Sequence, residues 1–589
     1  MEDFGENSIV ISLVTSRTGL PVLRAGEYFL HSFYDPVKEA RRLAEVNYRE
    51  NHLHVLLGLG LGYLVREMFL KLGENDALLI IEPNQSVFEM ALQHNRELQE
   101  ILHKENVFLN VGANQALLCD QLSLLMNKGF LGRFHIIEHP NYARLYPWLV
   151  ERVARLLKDT CMMGLVNLNT IHTFGELWQK NFLLNLYHAF QSLPFSQLVN
   201  RLSCPVIITA AGPSLTKQLP LLREVMDKAF ILCAGSAINS LLSGGVVPHA
   251  VVSVDGGEAN YIHFKDLNIS NVPIFFSLTL HNGVLEQHKG TKVVFNNFNS
   301  AFLTWTDKVL QRENGVVRGG FSVANFCLDI AWQLTTGPIC LIGQDLAYTG
   351  NKSHAEGNKN GRLIDLQDIE KQKRYTWTDG YYGDTVLTDY VFLGMKKAFE
   401  DYYQYAKSQN PDRLIANCTE GGAKIEGFVN MPFKDFIEKH CQKDCRKEID
   451  DLFAHQALQK QDWYSFFNVI NEEKKNIVKT IELCNKALKI LEKVERENNI
   501  VTPQLLTKLD KIDMCIKKAQ ENNIMQYIVQ PVLFRVDYCF SARRDETLEE
   551  SKKRILAKSK MLYDGIARGA EIARKYIDQL LAKVRGHLE

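Results

Sequence analysis

The chain has 589 residues, and its 68 Lys+Arg balance 68 Asp+Glu to a formal net charge of zero. That balance argues against a dedicated nucleic-acid binder, whose electrostatic footprint is a basic excess. Hydrophobic residues at 46% and charged residues at 23% exclude a disordered or fibrous chain, and no apolar run of about 18 residues predicts a membrane span.

The first part, residues 1–195, alternates short apolar runs with helical patterns. Its acidic start, Met1-Glu2-Asp3, leads into no apolar core, so no secretory signal is expected. Strands are predicted at His54 to Leu57, Ala77 to Ile81, Val107 to Val111 and Phe134 to Glu138. Strands alternating with helices imply a parallel sheet covered on both faces. Gly58, Gly60 and Gly62 follow the first strand, a helix is expected from about Leu64 to Leu72, and Glu82 closes the second strand. Two readings stay open for this unit. The glycines let a backbone approach a nucleotide whose ribose Glu82 holds, or they only permit tight strand–helix packing.

The second part, residues 196–435, carries near-continuous apolar runs at 206–210, 230–233, 250–254, 274–278, 292–295 and 339–342. Such runs are what parallel strands buried on both faces require, and ligands of open α/β sheets bind at the strands' C-terminal ends. There the sequence places Gly212-Pro213-Ser214-Leu215, a turn into a helix. Gly212 permits the turn, Pro213 suits the first helical position, and Ser214 adds a hydroxyl beside free amides that attract an anion; the plain alternative is a capped helix. Arg318-Gly319-Gly320-Phe321-Ser322 opens a second helix in the same manner. Asp255 and Asp345 each end a strand, where an acid can bind a metal, orient sugar hydroxyls or cap the next helix. A polar stretch from Thr349 to Thr388 with His354, Trp377, Asp379, Tyr381, Tyr382 and Asp384 is read as a long loop over the strand ends, a lid.

The third part, residues 436–589, is poor in glycine, and Ile477, Ile481, Cys484, Leu488 and Leu491 form one helical stripe. The fold class expected is therefore α/β, two Rossmann-like parallel-sheet domains followed by an α-helical C-terminal domain. The twelve cysteines are scattered, and Cys233, Cys327 and Cys340 sit in apolar runs as buried thiols. Cys441 and Cys445 lack zinc-site spacing and a second pair. A reducing cytoplasm fits such cysteine usage.

Taken together, the segments Gly212 to Leu215, Cys233 to Asn239, Asp255, Gly319 to Ala324, Gly343 to Tyr348 and Asn417 to Ala423 resemble the motility-associated factor (Maf) family of flagellin glycosyltransferases. Gly19 to Arg42 and the Gly58–Glu82 unit are similar to that family as well, so the resemblance spans about residues 8 to 435. It implies transfer of pseudaminic or legionaminic acid from a CMP-activated donor to Ser or Thr hydroxyls of flagellin, with the CMP-nonulosonic acid as substrate and neither cofactor nor metal. The family's central domain is similar to bacterial sialyltransferases. By that likeness Gly212, Pro213, Ser214, Asn239, Asp255, Gly320, Ser322, Thr419 and Glu420 are expected around the donor. The sialyltransferase base is a His in a Tyr-x-Gly-His-Ser stretch; here Tyr381-Tyr382-Gly383-Asp384-Thr385 puts Asp384 in its place. Asp384, His354 and Asp345 are the candidates for a base that takes the acceptor proton.

Two other functions compete. The central domain also resembles an archaeal pterin pyrophosphokinase, which would use ATP and Mg²⁺ with Asp255 and Asp345 positioning the metal. A flagellin chaperone would use the helical end for docking.

Overall fold

The computed structural model describes residues 10–73, 75–126, 130, 132–298, 303–364, 375–454, 462–496, 502–520, 532–533, 535–536, 539–540 and 546–589, with residues 115, 116, 123, 163–175, 503, 519 and 520 described by backbone alone. It forms two compact units, Met1–Asn169 with Phe534–Lys558, and Thr170–Leu533 with Ser559–Glu589.

The first unit begins with an antiparallel meander, β1 (Ile11–Thr15), β2 (Pro21–Ala25) and β3 (Tyr28–Phe29). A parallel sheet follows, built from β4 (Leu53–Leu57), β5 (Ala77–Glu82), β6 (Val107–Val111) and β7 (Phe134–Glu138) in the order β6-β5-β4-β7. Alternate residues serve opposite faces: Val55, Leu57, Leu79 and Ile81 pack in one core, Leu56, Leu78 and Ile80 in another. This is why β4 and β5 read as unbroken apolar runs.

The second unit centres on a nine-stranded sheet in which every pairing is parallel. Its strands are β8 (Leu193–Pro194), β9 (Val206–Thr209), β10 (Phe230–Ala234), β11 (Ala250–Ser253), β12 (Ile274–Phe276), β13 (Lys292–Val294), β16 (Ile339–Ile342), β19 (Ile415–Asn417) and β20 (Val429–Asn430). The order is β20-β19-β16-β9-β10-β11-β12-β13-β8. From β9 the chain builds outward to β13, then crosses back to lay β16 on the other side of β9. The strand order therefore reverses between β9 and β16, where a parallel sheet opens a ligand crevice. A short parallel pair, β14 (Asn296–Asn297) with β15 (Val316–Val317), leads into the almost wholly buried helix Val323–Leu334 under the sheet.

The polar stretch expected to be one long loop is not one. Tyr375–Asp379 (β17) and Thr385–Asp389 (β18) pair as an antiparallel hairpin, from Tyr375↔Asp389 to Asp379↔Thr385. Thr376, Trp377, Thr378, Val386 and Leu387 are β-branched or bulky residues that favour a pleated surface, and Gly383 turns the chain at φ +86°. The part of the stretch at 365–374 lies outside the described residues.

The C-terminal region is helical, with helices at Trp463–Arg496, Pro503–Gln520 and Leu548–Arg585. Ile477, Ile481, Cys484 and Leu491 of the expected stripe are buried; Ala487 joins them, while Leu488 is only half-buried. Within the second unit, Phe466 stacks on Phe190 at 4.3 Å and Trp463 on His587 at 4.1 Å. No described helix is long and apolar enough to cross a membrane.

Candidate active-site cleft

The crevice between β9 and β16 is closed at its floor by one carboxylate. Asp345, just past β16, is 1% exposed. It accepts from Ser214 Oγ at 2.6 Å and from the Ser214 amide at 3.2 Å. The amide expected to await a ligand anion is thus held by the protein's own anion, and Ser214 donates to a carboxylate rather than capping its helix. Gly212 is required here because a Cβ would stand 2.1 Å from Asp345 Oδ1 and 2.4 Å from the Gly343 carbonyl. Burial pushes the Asp345 carboxyl above its usual range, against the pull of the Ser214 hydrogen bonds. The β19 loop locks on beside it. Gln344 N donates to Thr419 Oγ1 at 3.2 Å, and Ala423 N to the Asp345 carbonyl at 2.7 Å. Leu346 at φ +50° and Glu420 at φ +55° hold left-handed conformations unusual for their types, strain of the kind that gathers at functional loops.

Asp255 behaves differently. It is exposed at the C-terminal end of β11, and desolvation by the surrounding protein raises its carboxyl above the usual range. Its loop and the neighbouring loop after β12 are held from behind by two buried asparagines of the helix Pro147–Phe190. Asn181 Nδ2 donates to the Gly256 carbonyl at 3.0 Å, and Asn185 Nδ2 to those of Leu278 and Leu280 at 2.9 and 2.6 Å.

Residues 349–364 lie across the strand ends, as a lid does. Ala355 N bonds the Ala211 carbonyl at 2.8 Å, Asn358 Nδ2 the Ser236 carbonyl at 2.7 Å, and Lys359 Nζ the Ile262 carbonyl at 2.8 Å. His263, which sequence reasoning missed, is the hub. Asn239 Nδ2 donates to its carbonyl at 3.0 Å, and Asn360 Nδ2 lies 2.8 Å from its Nε2. No local spacing signals that role, since its partners are 24 and 97 residues away. His354 is half-buried beside it and bonds Ser353 Oγ at 2.9 Å. Burial, then Arg362, lowers its pKa, so the ring is neutral at pH 7.

Gly212, Pro213, Ser214, Asp345 and Thr419 are thus brought together, with Asn239 and His354 under and in the lid. Ser322 forms a capping box with Asn325, which spends its hydroxyl on the helix, and Gly320 packs against Asn325 and Ala398. Glu420 accepts from Phe433 N at 3.0 Å at the start of another helix. Asp384 is exposed at the turn of the β17–β18 hairpin.

The glycine loop of the first unit is filled from within. Leu59 N donates to Glu82 at 2.8 Å, Gly60 N to Tyr142 Oη at 3.2 Å, and Leu61 N to His31 Nε2 at 2.9 Å. A Cβ on Gly58 would meet the Tyr142 ring at 2.5 Å. Its amides are taken, which is the packing alternative. Burial pushes Glu82 up to about 7.

A nine-stranded parallel sheet with a lidded crevice at its reversal defines a doubly wound α/β protein. Residues 180–351 match the model of the family 6-hydroxymethylpterin diphosphokinase MptE-like. A 130-residue stretch is 27% identical to an uncharacterized protein of Treponema pallidum (strain Nichols), covering 22% of this chain and 61% of that one, less than two thirds of the relative's length. The Maf glycosyltransferase from Magnetospirillum magneticum AMB-1 has the same fold, with a TM-score of 0.54 at 15% identity over 98% of this chain and 91% of that chain. The resemblance read from the sequence is therefore met in the fold.

Proposed function

We propose that the protein is a glycosyltransferase that moves pseudaminic or legionaminic acid from its CMP-activated donor to Ser or Thr hydroxyls of flagellin, in the cytoplasm. The observation that carries this reading is the likeness of fold to a Maf glycosyltransferase along 98% of the chain. It takes in the N-terminal sheet and the helical end, which a small-molecule kinase would not need. In this reading residues 196–435 are the catalytic part. Asp345 is a positioning residue that fixes the Gly212–Ser214 turn against which the nucleotide lies. Asp255, exposed at the end of β11 with a carboxyl raised above the usual range, takes the acceptor hydroxyl's proton. Neutral His354 in the lid hydrogen-bonds the sugar, and Asn239 the nucleotide. No metal or cofactor takes part in the transfer.

The test is the full-length protein with CMP-pseudaminic acid, CMP-legionaminic acid and purified flagellin, without added divalent cation. The expected outcome is a gain of one nonulosonic acid mass per event with equimolar release of CMP. Unchanged flagellin with both validated donors would sink the reading. The family match over residues 180–351 favours a second one, pyrophosphoryl transfer from ATP to a hydroxymethylpterin. AMP release that depends on the pterin and Mg²⁺ would establish it instead.

A further inference from the structure

Three donor groups converge at the N-terminal end of the central strand β9, opposite the cleft. Cys204 belongs to Ser203-Cys204-Pro205, which enters β9 at its N-terminal end. Cys445 precedes the helix Arg446–Ala454, and Glu448 lies one turn further along. The two Sγ atoms and a Glu448 carboxylate oxygen all lie within 4.8 Å of one another, the one such His/Cys/Asp/Glu group among the described residues. Cys204 is 3% and Cys445 8% exposed, and both thiols are free.

The surroundings hold these groups in place. The Glu448 carboxylate accepts from the Ser203 amide and, at 3.3 Å, from Ser203 Oγ, which orients it. Cys445 N donates to the Asp227 carbonyl at 2.7 Å, and Arg446 Nε to the Asp227 carboxylate at 2.9 Å. Ile449 and Leu452 anchor the same helix in the sheet core.

We propose that Cys204, Cys445 and Glu448 bind a zinc-class divalent cation that clamps the helix Arg446–Ala454 to the N-terminal end of β9. Two sulfur donors select a borderline-soft metal over Mg²⁺ or Ca²⁺, and one carboxylate suits zinc. Tetrahedral bonds of about 2.3 Å put sulfur donors about 3.8 Å apart, inside the observed spacing. The Ser203 hydrogen bonds are the outer support that metal-binding carboxylates need, and water takes the fourth position. As the metal binds, the two thiols release their protons to solvent. Cys441 and Cys445 suggest no such site along the sequence, because the second sulfur comes from residue 204.

The experiment uses full-length protein equilibrated with zinc and then with metal-free buffer. Elemental analysis should find one zinc per chain, and the Co²⁺-substituted protein should show sulfur-to-cobalt charge-transfer absorption. Cys204→Ser and Cys445→Ser should lose both signals, and Glu448→Gln, which removes a direct ligand, should weaken binding more than the roughly 10–100-fold expected of an outer-shell change. Cys515→Ala, at an exposed thiol, should change neither. Metal-free wild type without the cobalt band overturns the proposal. So does a Cys204–Cys445 disulfide detected as the loss of two hydrogens by mass. Metal loss in Cys515→Ala does the same by showing adventitious binding. The cobalt spectrum of the wild type stands whether or not a variant folds.

Discussion

Asp345 and Asp255 end comparable strands of one sheet, yet their surroundings assign them different work. Asp345 is sealed in and spends its oxygens on Ser214, so Ser214→Ala should leave a buried carboxylate short of its best donor. The expected cost is about 1–3 kcal/mol, read as a lower Tm of the second unit. Asp255 keeps a raised pKa beside solvent. As the proposed base it must be ionised, so kcat should fall as pH drops through a point above the ordinary aspartate range. Asp255→Asn should lower kcat roughly 10²–10⁴-fold and abolish that acid limb, while CMP binding by calorimetry stays intact. Unchanged kcat would return the base role to His354. Glu82 makes the complementary point about stability. Its folded pKa of about 7 lies above the free value of 4.5, so folding is favoured by the protonated form. That advantage is full below about pH 4.5 and is lost as pH rises to about 7. Relative to Glu82→Gln, the wild type should therefore lose up to about 3 kcal/mol between pH 4.5 and 7.5, measured as a difference in unfolding midpoints across pH. A difference that stays constant would mean Glu82 titrates normally. The identities of these acids were legible in the sequence; their roles depend on burial, which neighbours distant in sequence create.

At the scale of elements, the turn after β9 is built around a forbidden Cβ. Gly212→Ala should displace the Asp345 loop, because the obstruction includes the Gly343 backbone as well as a side chain. The expected outcome is loss of CMP binding together with a lowered Tm. The lid offers a gentler probe. Asn360→Ala removes its bond to His263 while leaving Asn358 on Ser236. It should raise the donor KM several-fold with little change in Tm, and an unchanged KM would mean that residues 349–364 do not close over the donor. The buried strands were readable because parallel strands covered on both faces must be apolar throughout. The β17–β18 hairpin was not, because its Thr, Tyr and Asp content looks like a loop and its pairing is sealed by other segments. Tyr381 N bonds the Gly422 carbonyl at 2.8 Å, and Lys424 N that of Asp379 at 2.9 Å. The Ser322 helix start was recognised, but its capping box satisfies it locally, so the anion-site expectation has no free hydroxyl to use there.

For the whole molecule, the second unit draws its core from far along the chain. Phe466, Trp463 and His587 pack with Phe190 and Tyr187, and Lys474 pairs with Asp578 at 2.7 Å. Ending the chain after residue 435 would strip these contacts together with Ile449 and Leu452 from the sheet core. The truncated protein should lower Tm and expose apolar surface to a dye such as ANS. A truncated form as stable as the full chain would show that the helical end is dispensable for folding. The sequence by itself determined the α/β class, the two parallel sheets, the helical end and the glycine turns at the strand ends, because each is dictated by hydrophobic period or by local backbone sterics. Only the tertiary structure decided that Asp345 occupies the Ser214 amide, that Glu82, Tyr142 and His31 fill the first glycine loop, and that Cys204 meets Cys445. Those pairings join residues 23 to more than 200 apart, and which partner reaches a buried donor is set by strand order and packing, not by the spacing of residues along the chain.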